Sequence, residues 1–162
     1  MARLPLAFVA AMGLLICAAV PVRVPAAHAA SKPLLVVMAA STRIKDISTA
    51  SLRRVFQGLP TELEGGKRFI PVNHPIGSPA RVQFDRAALG LEPNQVGAFW
   101  IDRRIRDESP PPRTLPSADL ATRVAASLPG AITYIVPEML NAGVKALTID
   151  GKAAGQPGYL LK

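Results

Sequence analysis

The stretch V-N-H-P-I-G-S-P-A-R at positions 72–81 joins an apolar run to a helical pattern. Phe69, Ile70 and Val72 predict a short strand before the turn. After the turn, Ser78 and Pro79 are the residue types preferred at the N-cap and at the first position of a helix. The stretch therefore predicts a strand, a turn and a capped helix. It also raises the question of whether the start of this helix holds an anion.

The segments on either side of this stretch alternate between strand and helix patterns. Ser48 and Ser117 have the residue type of helix caps, and Pro93 that of a first helical position. Further strands are predicted at 34–39, 131–136 and 144–149, and further helices at 47–58, from 93 and from 117. The alternation indicates one α/β domain. The proline-rich residues 107–116 are predicted to form the longest loop, and the glycine-rich residues 151–162 a loose C-terminal tail.

The first thirty residues have the pattern of a secretory signal peptide. Arg3 is followed by an apolar run at 4–20, and the sequence A-H-A-A at 27–30 offers small residues for cleavage after Ala29 or Ala30. An uncleaved membrane anchor is the alternative, but the run is shorter than the ~20 apolar residues that a spanning helix needs. We therefore expect residues 1–30 to be a signal peptide, residues 31–150 to be the domain, and the protein to be periplasmic or secreted.

The composition of residues 31–162 excludes several kinds of site. The single cysteine, Cys17, lies in the predicted signal peptide, and His74 is the one histidine outside it. Disulfides, thiolate metal sites and zinc sites built on several histidines are therefore excluded. The whole chain carries a net charge of +8, of which Arg3 and Arg23 belong to the signal peptide. This basic charge suits a small anion better than nucleic acid, because aromatic residues are few and basic residues are not clustered.

Four motifs, in this order, resemble the phosphate-binding members of the type-2 periplasmic (substrate-binding) protein family and their single-lobe relatives. They are L-R-R-V-F-Q-G (52–58), G-S-P-A-R (77–81), F-W (99–100) and P-G-A-I-T-Y-I (129–135). The family has Gly-Ser-Gly-Thr-Arg at the second motif and Pro-Gly-Ala-Ile-Gly-Tyr-Val at the last. The resemblance implies a single lobe of a type-2 periplasmic-binding-protein-like fold, with a central sheet flanked by helices. It also implies a non-enzymatic protein that binds an oxyanion such as phosphate, linked to phosphate ABC transport.

The resemblance places the ligand at the helix start, and its expected contacts are Gly77, Ser78, Ala80, Arg81 and His74. Two substitutions within the motif weaken this expectation. Pro79 replaces a glycine and has no N–H to donate, and Ala80 replaces a threonine and has no hydroxyl. The loss of two such hydrogen bonds is expected to weaken anion binding by about two to four orders of magnitude. His74 is expected to add charge below neutral pH.

Other interpretations of the same residues stay open. Ser78 and Pro79 are also a common pair at the start of any helix, and Arg81 could be a solvated residue that pairs weakly with Asp85. The chain could also be an accessory module that has lost ligand capture and contacts a protein partner. A Ser78–His74 nucleophile pair is disfavoured, because Pro79 and Ala80 do not form the G-x-S-x-G turn. No catalytic residue, metal ligand or cofactor is predicted.

Two features of the region 99–113 are assigned to structure. The helical spacing of Phe99 and Trp100 with Val96 predicts that both rings lie in the core. The arginines at 103, 104, 106 and 113 are interpreted as a solvated helix end and loop, with a docking patch for an anionic partner as the alternative.

Overall fold

The computed structural model describes residues 32–62, 66, 68–106 and 109–162. The predicted signal peptide lies outside the described residues. Seven strands are present in the described part: β1 Leu35–Ala39, β2 Asp46–Ile47, β3 Ile70–Asn73, β4 Arg113–Thr114, β5 Ala131–Ile135, β6 Val144–Ala146 and β7 Thr148–Ile149. The α-helices are α1 Thr49–Phe56, α2 Pro79–Phe84, α3 Pro93–Ile105 and α4 Ala118–Ser127. A π-helical turn, Asp85–Leu89, continues α2, and a 3₁₀ turn, Pro137–Met139, follows β5.

The main sheet has five strands in the order β4-β3-β5-β1-β6. Strand β3 runs parallel to β4 and β5, whereas β1 runs antiparallel to β5 and β6. Every residue of β1 and of β5 is buried, which agrees with the continuous apolar runs that predicted them. Because β3 and β5 are parallel neighbours, their carboxyl ends meet at the same edge of the sheet.

Helices cover both faces of this sheet. Val36 and Met38 of β1 belong to a cluster with residues of α1 and α2, including Phe56 and Phe84. The alternate residues of β1, Leu35 and Val37, pack with Ala125 of α4. The predicted fold class, a central sheet flanked by helices, is confirmed.

The end of the C-terminal segment packs on the core through Tyr159 and Leu161, so the expectation that residues 151–162 form a loose tail was wrong. Tyr159 and Leu161 are 2% and 0% exposed. The backbone N–H of Leu34 donates to the carbonyl of Leu161 at 2.9 Å, and the Tyr159 hydroxyl donates to the carbonyl of Leu34 at 2.8 Å. Gly155 and Gly158, both at positive φ, let the chain turn back toward β1. The glycines that suggested a loose segment therefore form its turns.

Helix α3 is more exposed to solvent than its sequence pattern predicted. Of its residues only Val96 is buried, while Ile101 and Ile105 are 62% and 79% exposed. Phe99 and Trp100 are half-buried and meet edge to face at 5.0 Å, and they lie outside the core clusters. The expectation that both rings belong to the core was therefore wrong. Among the described residues no helix is long and apolar enough to cross a membrane.

Candidate functional site

A cleft of about 370 Å³ opens where the carboxyl ends of β3 and β5 meet the starts of α2 and α4. Ligands of open α/β sheets commonly bind outside the carboxyl ends of parallel strands. The cleft is lined by His74, Pro75, Ser78, Pro79, Ala80, Pro116, Ser117, Ala118, Val136 and Met139. Most of these side chains are apolar, so few polar groups can select a ligand here.

Ser78 stands at the N-cap of α2, as predicted, but its side chain does not make the capping hydrogen bond. Its Oγ is buried and has no hydrogen-bond partner among the described residues. The backbone of Ser78 is fully engaged, because its N–H donates to the Pro75 carbonyl and its carbonyl accepts from Val82. An unsatisfied buried hydroxyl costs about 1–3 kcal/mol. The hydroxyl of Ser78 is therefore an unpaired hydrogen-bonding group at the cleft wall.

Ser117, the N-cap of α4 across the cleft, behaves differently. Its Oγ accepts the N–H of Leu120 at 3.2 Å, which is the ordinary capping bond. The same bond is present at Ser48, whose Oγ accepts from Ser51 at 3.1 Å. Of these three cap serines, Ser78 alone leaves its hydroxyl unused.

Arg81 points away from the cleft into a buried ion pair. Its Nε donates to Asp85 Oδ2 at 2.6 Å, and both side chains are 4% exposed. Its Nη1 lies 3.5 Å from the backbone carbonyl of His74. The predicted pairing with Asp85 is thus present, but the pair is buried and not solvated. Burial raises the pKa of Asp85, and the attraction of Arg81 opposes that rise.

His74 follows β3 directly and forms the floor of the cleft. It is 2% exposed, and its ring stacks on Tyr134, with 4.6 Å between ring centroids. Tyr134 in turn stacks on Phe84 at 4.0 Å. The Thr133 hydroxyl donates to the Val72 carbonyl, so its oxygen accepts from His74 Nε2, 3.4 Å away.

The environment of His74 keeps its ring neutral at pH 7. Burial and, to a smaller extent, the charge of Arg81 lower the pKa of His74 to about 4, although a hydrogen bond to the backbone of Tyr134 acts to raise it. The charge that His74 is expected to add below neutral pH therefore appears only near pH 4, because burial opposes protonation of the ring.

The five expected contacts separate into two groups. His74, Ser78 and Ala80 line the cleft, whereas Gly77 lies in the exposed turn and Arg81 lies behind the wall. The sequence had marked Ser117 as a cap, but nothing in it showed that the starts of α2 and α4 face the same cleft. The apolar wall from Val136 and Met139 was also not predicted, because it depends on the 3₁₀ turn after β5.

A second cavity, of about 470 Å³, lies at the start of α1. Arg43, Lys45, Asp46 and Glu62 give it both signs of charge, and the cap hydroxyl of Ser48 is already bonded. This cavity therefore lacks the unused hydroxyl that distinguishes the cleft at Ser78.

No known protein family and no curated protein matches the sequence. Solved structures do match the fold. An ABC-type phosphate transport receptor from Vibrio cholerae aligns with a TM-score of 0.60 at 15% identity, over 76% of this chain and 48% of that chain. A putative phosphate ABC transporter substrate-binding protein with bound phosphate, from Clostridium perfringens, aligns with a TM-score of 0.61 at 15% identity. The alignment covers 76% of this chain and 47% of that chain.

PstS from Borrelia burgdorferi gives a TM-score of 0.57 at 14% identity, over 75% of this chain and 49% of that chain. The chain thus spans about half the length of the receptors that it matches. The resemblance to phosphate-binding receptors is confirmed at the level of the fold. These neighbours are transport receptors and not enzymes.

Proposed function

We propose that the protein binds a small oxyanion, phosphate first, weakly and without chemical conversion in the cleft between α2 and α4. The observation that carries this proposal is the unpartnered hydroxyl of Ser78 at the cleft wall. The first N–H groups of a helix have no intrahelical acceptor, so the amides of Ala80 and Arg81 are further donors. Gly77, at φ 82°, forms the turn that presents them.

The charges around the cleft indicate weak binding. Arg81 is engaged by Asp85, and His74 is neutral at pH 7, so no side chain of the wall supplies a full positive charge. Pro79 has no N–H to donate. One side-chain and one or two backbone hydrogen bonds supply roughly 4 kcal/mol of net binding free energy, which corresponds to a millimolar dissociation constant. We therefore expect transient capture of the anion.

The cellular setting of the proposal is export followed by delivery to a phosphate ABC transporter. The leader pattern at residues 1–30 supports export. The likeness to phosphate transport receptors supports a role in transport of an oxyanion. We expect neither nucleic-acid binding nor stable insertion into the membrane after cleavage of the leader.

A second candidate function is an accessory module that contacts a protein partner through the same face. The apolar lining of the cleft favours this candidate, together with two exposed side chains beside it. Ile76 is 73% exposed in the turn before α2, and Leu140 is 46% exposed after the 3₁₀ turn. Such apolar groups suit a protein contact better than a hydrated anion.

Calorimetric titration with phosphate and with sulfate at low salt separates the two candidates. Anion binding predicts saturable heat in the wild type and a loss of affinity of about 10-fold or more in Ser78→Ala, because one hydrogen bond to a charged group is removed. Ser48→Ala is the matched control, since it alters a cap serine at the other cavity and should bind as the wild type does. Absence of heat at tens of millimolar phosphate and sulfate would reject anion capture and favour the accessory module.

A further inference from the structure

His74 is the one ionisable side chain among the ten described residues that line the cleft. The other nine are prolines, alanines, serines, a valine and a methionine. Any change in the charge of the wall must therefore come from this imidazole. An anion in the cleft would lie beside a buried ring that contacts Tyr134 and Thr133 and that has no carboxylate partner in the wall.

Most charged groups on the neighbouring elements are already paired, and Arg113 of β4, the strand beside β3, is exposed. Arg81 and Asp85 on the α2 side form the buried ion pair. Asp119 of α4 pairs with Arg123, and Glu138 of the 3₁₀ turn pairs with Lys32. On β5 the neighbouring group is Tyr134, whose hydroxyl donates to Asn73 Oδ1 at 2.9 Å and whose pKa is raised by burial. The neighbouring acids are thus engaged by cations, which leaves the histidine without a counterion of its own.

We propose that oxyanion binding in this cleft is coupled to uptake of one proton by His74, so that capture strengthens as the pH falls. The inference rests on the proposed function, and it assigns the regulation of that same site. Nε2 of the ring lies 3.4 Å from the Thr133 hydroxyl, and uptake of the proton places a hydrogen on both ring nitrogens. A bound anion offsets the cost of burying the resulting imidazolium, and by linkage the proton strengthens the hold on the anion equally.

The magnitude of the coupling follows from the two protonation equilibria. An opposite charge within about 4–6 Å moves a pKa by about 1–3 units. A shift of this size takes the pKa of His74 from about 4 without the anion to roughly 6 with the anion bound. The anion then binds about ten-fold more tightly at about pH 5 than at about pH 7.

The test follows the ring protons of His74 by NMR in the full chain carrying His28→Gln, which leaves His74 as the only histidine. Sulfate is the probe, because it stays fully ionised between about pH 5 and pH 7 and its own titration cannot mimic the coupling. Without sulfate, about one tenth of His74 is expected to be protonated at about pH 5. With saturating sulfate, about nine tenths should be protonated, and sulfate affinity should rise about ten-fold between about pH 7 and pH 5.

The control is His74→Gln, which keeps hydrogen-bonding capacity but cannot titrate. It should bind sulfate with the same affinity at both pH values. Proton coupling is refuted if sulfate binds the wild type, but the midpoint of the His74 titration does not change with sulfate and the sulfate affinity does not change with pH. The proposed function would then stand. If neither sulfate nor phosphate binds at either pH, the proposed function itself fails, and the coupling fails with it.

Discussion

At the scale of single residues, the cap serines Ser78 and Ser117 face the same cleft but differ in one hydrogen bond. Only Ser117 accepts a helix N–H, so only Ser117 stabilises its helix by capping. We predict that Ser117→Ala costs about 1 kcal/mol of unfolding free energy, whereas Ser78→Ala, which removes an unpaired buried hydroxyl, raises the unfolding free energy by up to about 1–3 kcal/mol. Urea unfolding of the two variants measures the difference. An equal loss in both would show that Ser78 caps α2 in solution.

The buried pair Arg81–Asp85 allows a second residue-scale prediction. Arg81→Met leaves Asp85 uncompensated in the interior and should cost about 3–5 kcal/mol of unfolding free energy. The double variant Arg81→Met with Asp85→Leu removes both charges and should recover most of that loss. Thermal and urea unfolding of the two variants provide the measurement. A double variant no more stable than Arg81→Met would contradict the assignment of the pair as a self-contained structural unit.

His74 makes the stability of the fold depend on pH. Its pKa is about 4 in the folded chain and about 6.5 in the unfolded chain, so the unfolded chain binds more protons between these values. The stabilising contribution is complete above about pH 6.5 and is lost as the pH falls toward 4, by roughly 3 kcal/mol in all. We predict this loss in urea unfolding curves of the wild type, measured from about pH 7 to pH 4.

The matched control for this prediction is His74→Gln, because other groups titrate in the same range. The raised pKa of Asp85 has the opposite sign, since a carboxyl that protonates more readily in the folded state favours folding in acid. Subtracting the His74→Gln curve removes this background. Parallel pH profiles for wild type and variant would show that the ring of His74 is not buried as a neutral group.

At the scale of elements, the C-terminal segment is a structural part of the domain. Leu161 is fully buried and its carbonyl accepts from Leu34 at the entrance to β1. We predict that Leu161→Ala costs about 2–5 kcal/mol of unfolding free energy. Leu140→Ala, at a 46% exposed position, should cost less than about 1 kcal/mol. Chemical unfolding measures the difference between the two variants. A similarly small loss of unfolding free energy in both would show that the C-terminal segment does not pack on the core.

The elements that the sequence predicted well are those with a local signal. The apolar run at 34–39 predicted β1, and Ser48 and Ser117 predicted the starts of α1 and α4. The packing of Tyr159 and Leu161 had no local signal, because it depends on two glycine turns that bring them back to Leu34. The predicted strand 144–149 divides into β6 and β7, since each half pairs with a different strand.

At the scale of the whole molecule, the candidate site was only partly predictable. The motif at 77–81 identified the helix start, and it correctly marked Ser78 as the N-cap. It could not show that Arg81 is buried in an ion pair with Asp85. Residues at i and i+4 lie on the same face of a helix, and this spacing is the same for a buried pair as for a solvated one. The facing wall from α4 and the 3₁₀ turn comes from segments about 40–60 positions later in the chain, which only the folded sheet brings together.

The molecule also spans about half the length of the phosphate receptors that share its fold. The described cleft is open to solvent, so water competes for the exposed donors that an anion would use. This is the physical reason to expect millimolar rather than tight capture, and it sets the concentrations at which binding must be tested.

The most direct test of the central claim is an amide NMR titration of the ¹⁵N-labelled protein with phosphate up to tens of millimolar. Binding in the cleft predicts saturable shifts that are largest at Ser78, Ala80 and Arg81, with smaller shifts at Ala118 and Asp119. The chemical shifts of the amides around Ser48, at the second cavity, should not change. Saturable shifts centred on Ser48, or no saturable shift at either helix start, would contradict an oxyanion site at the start of α2.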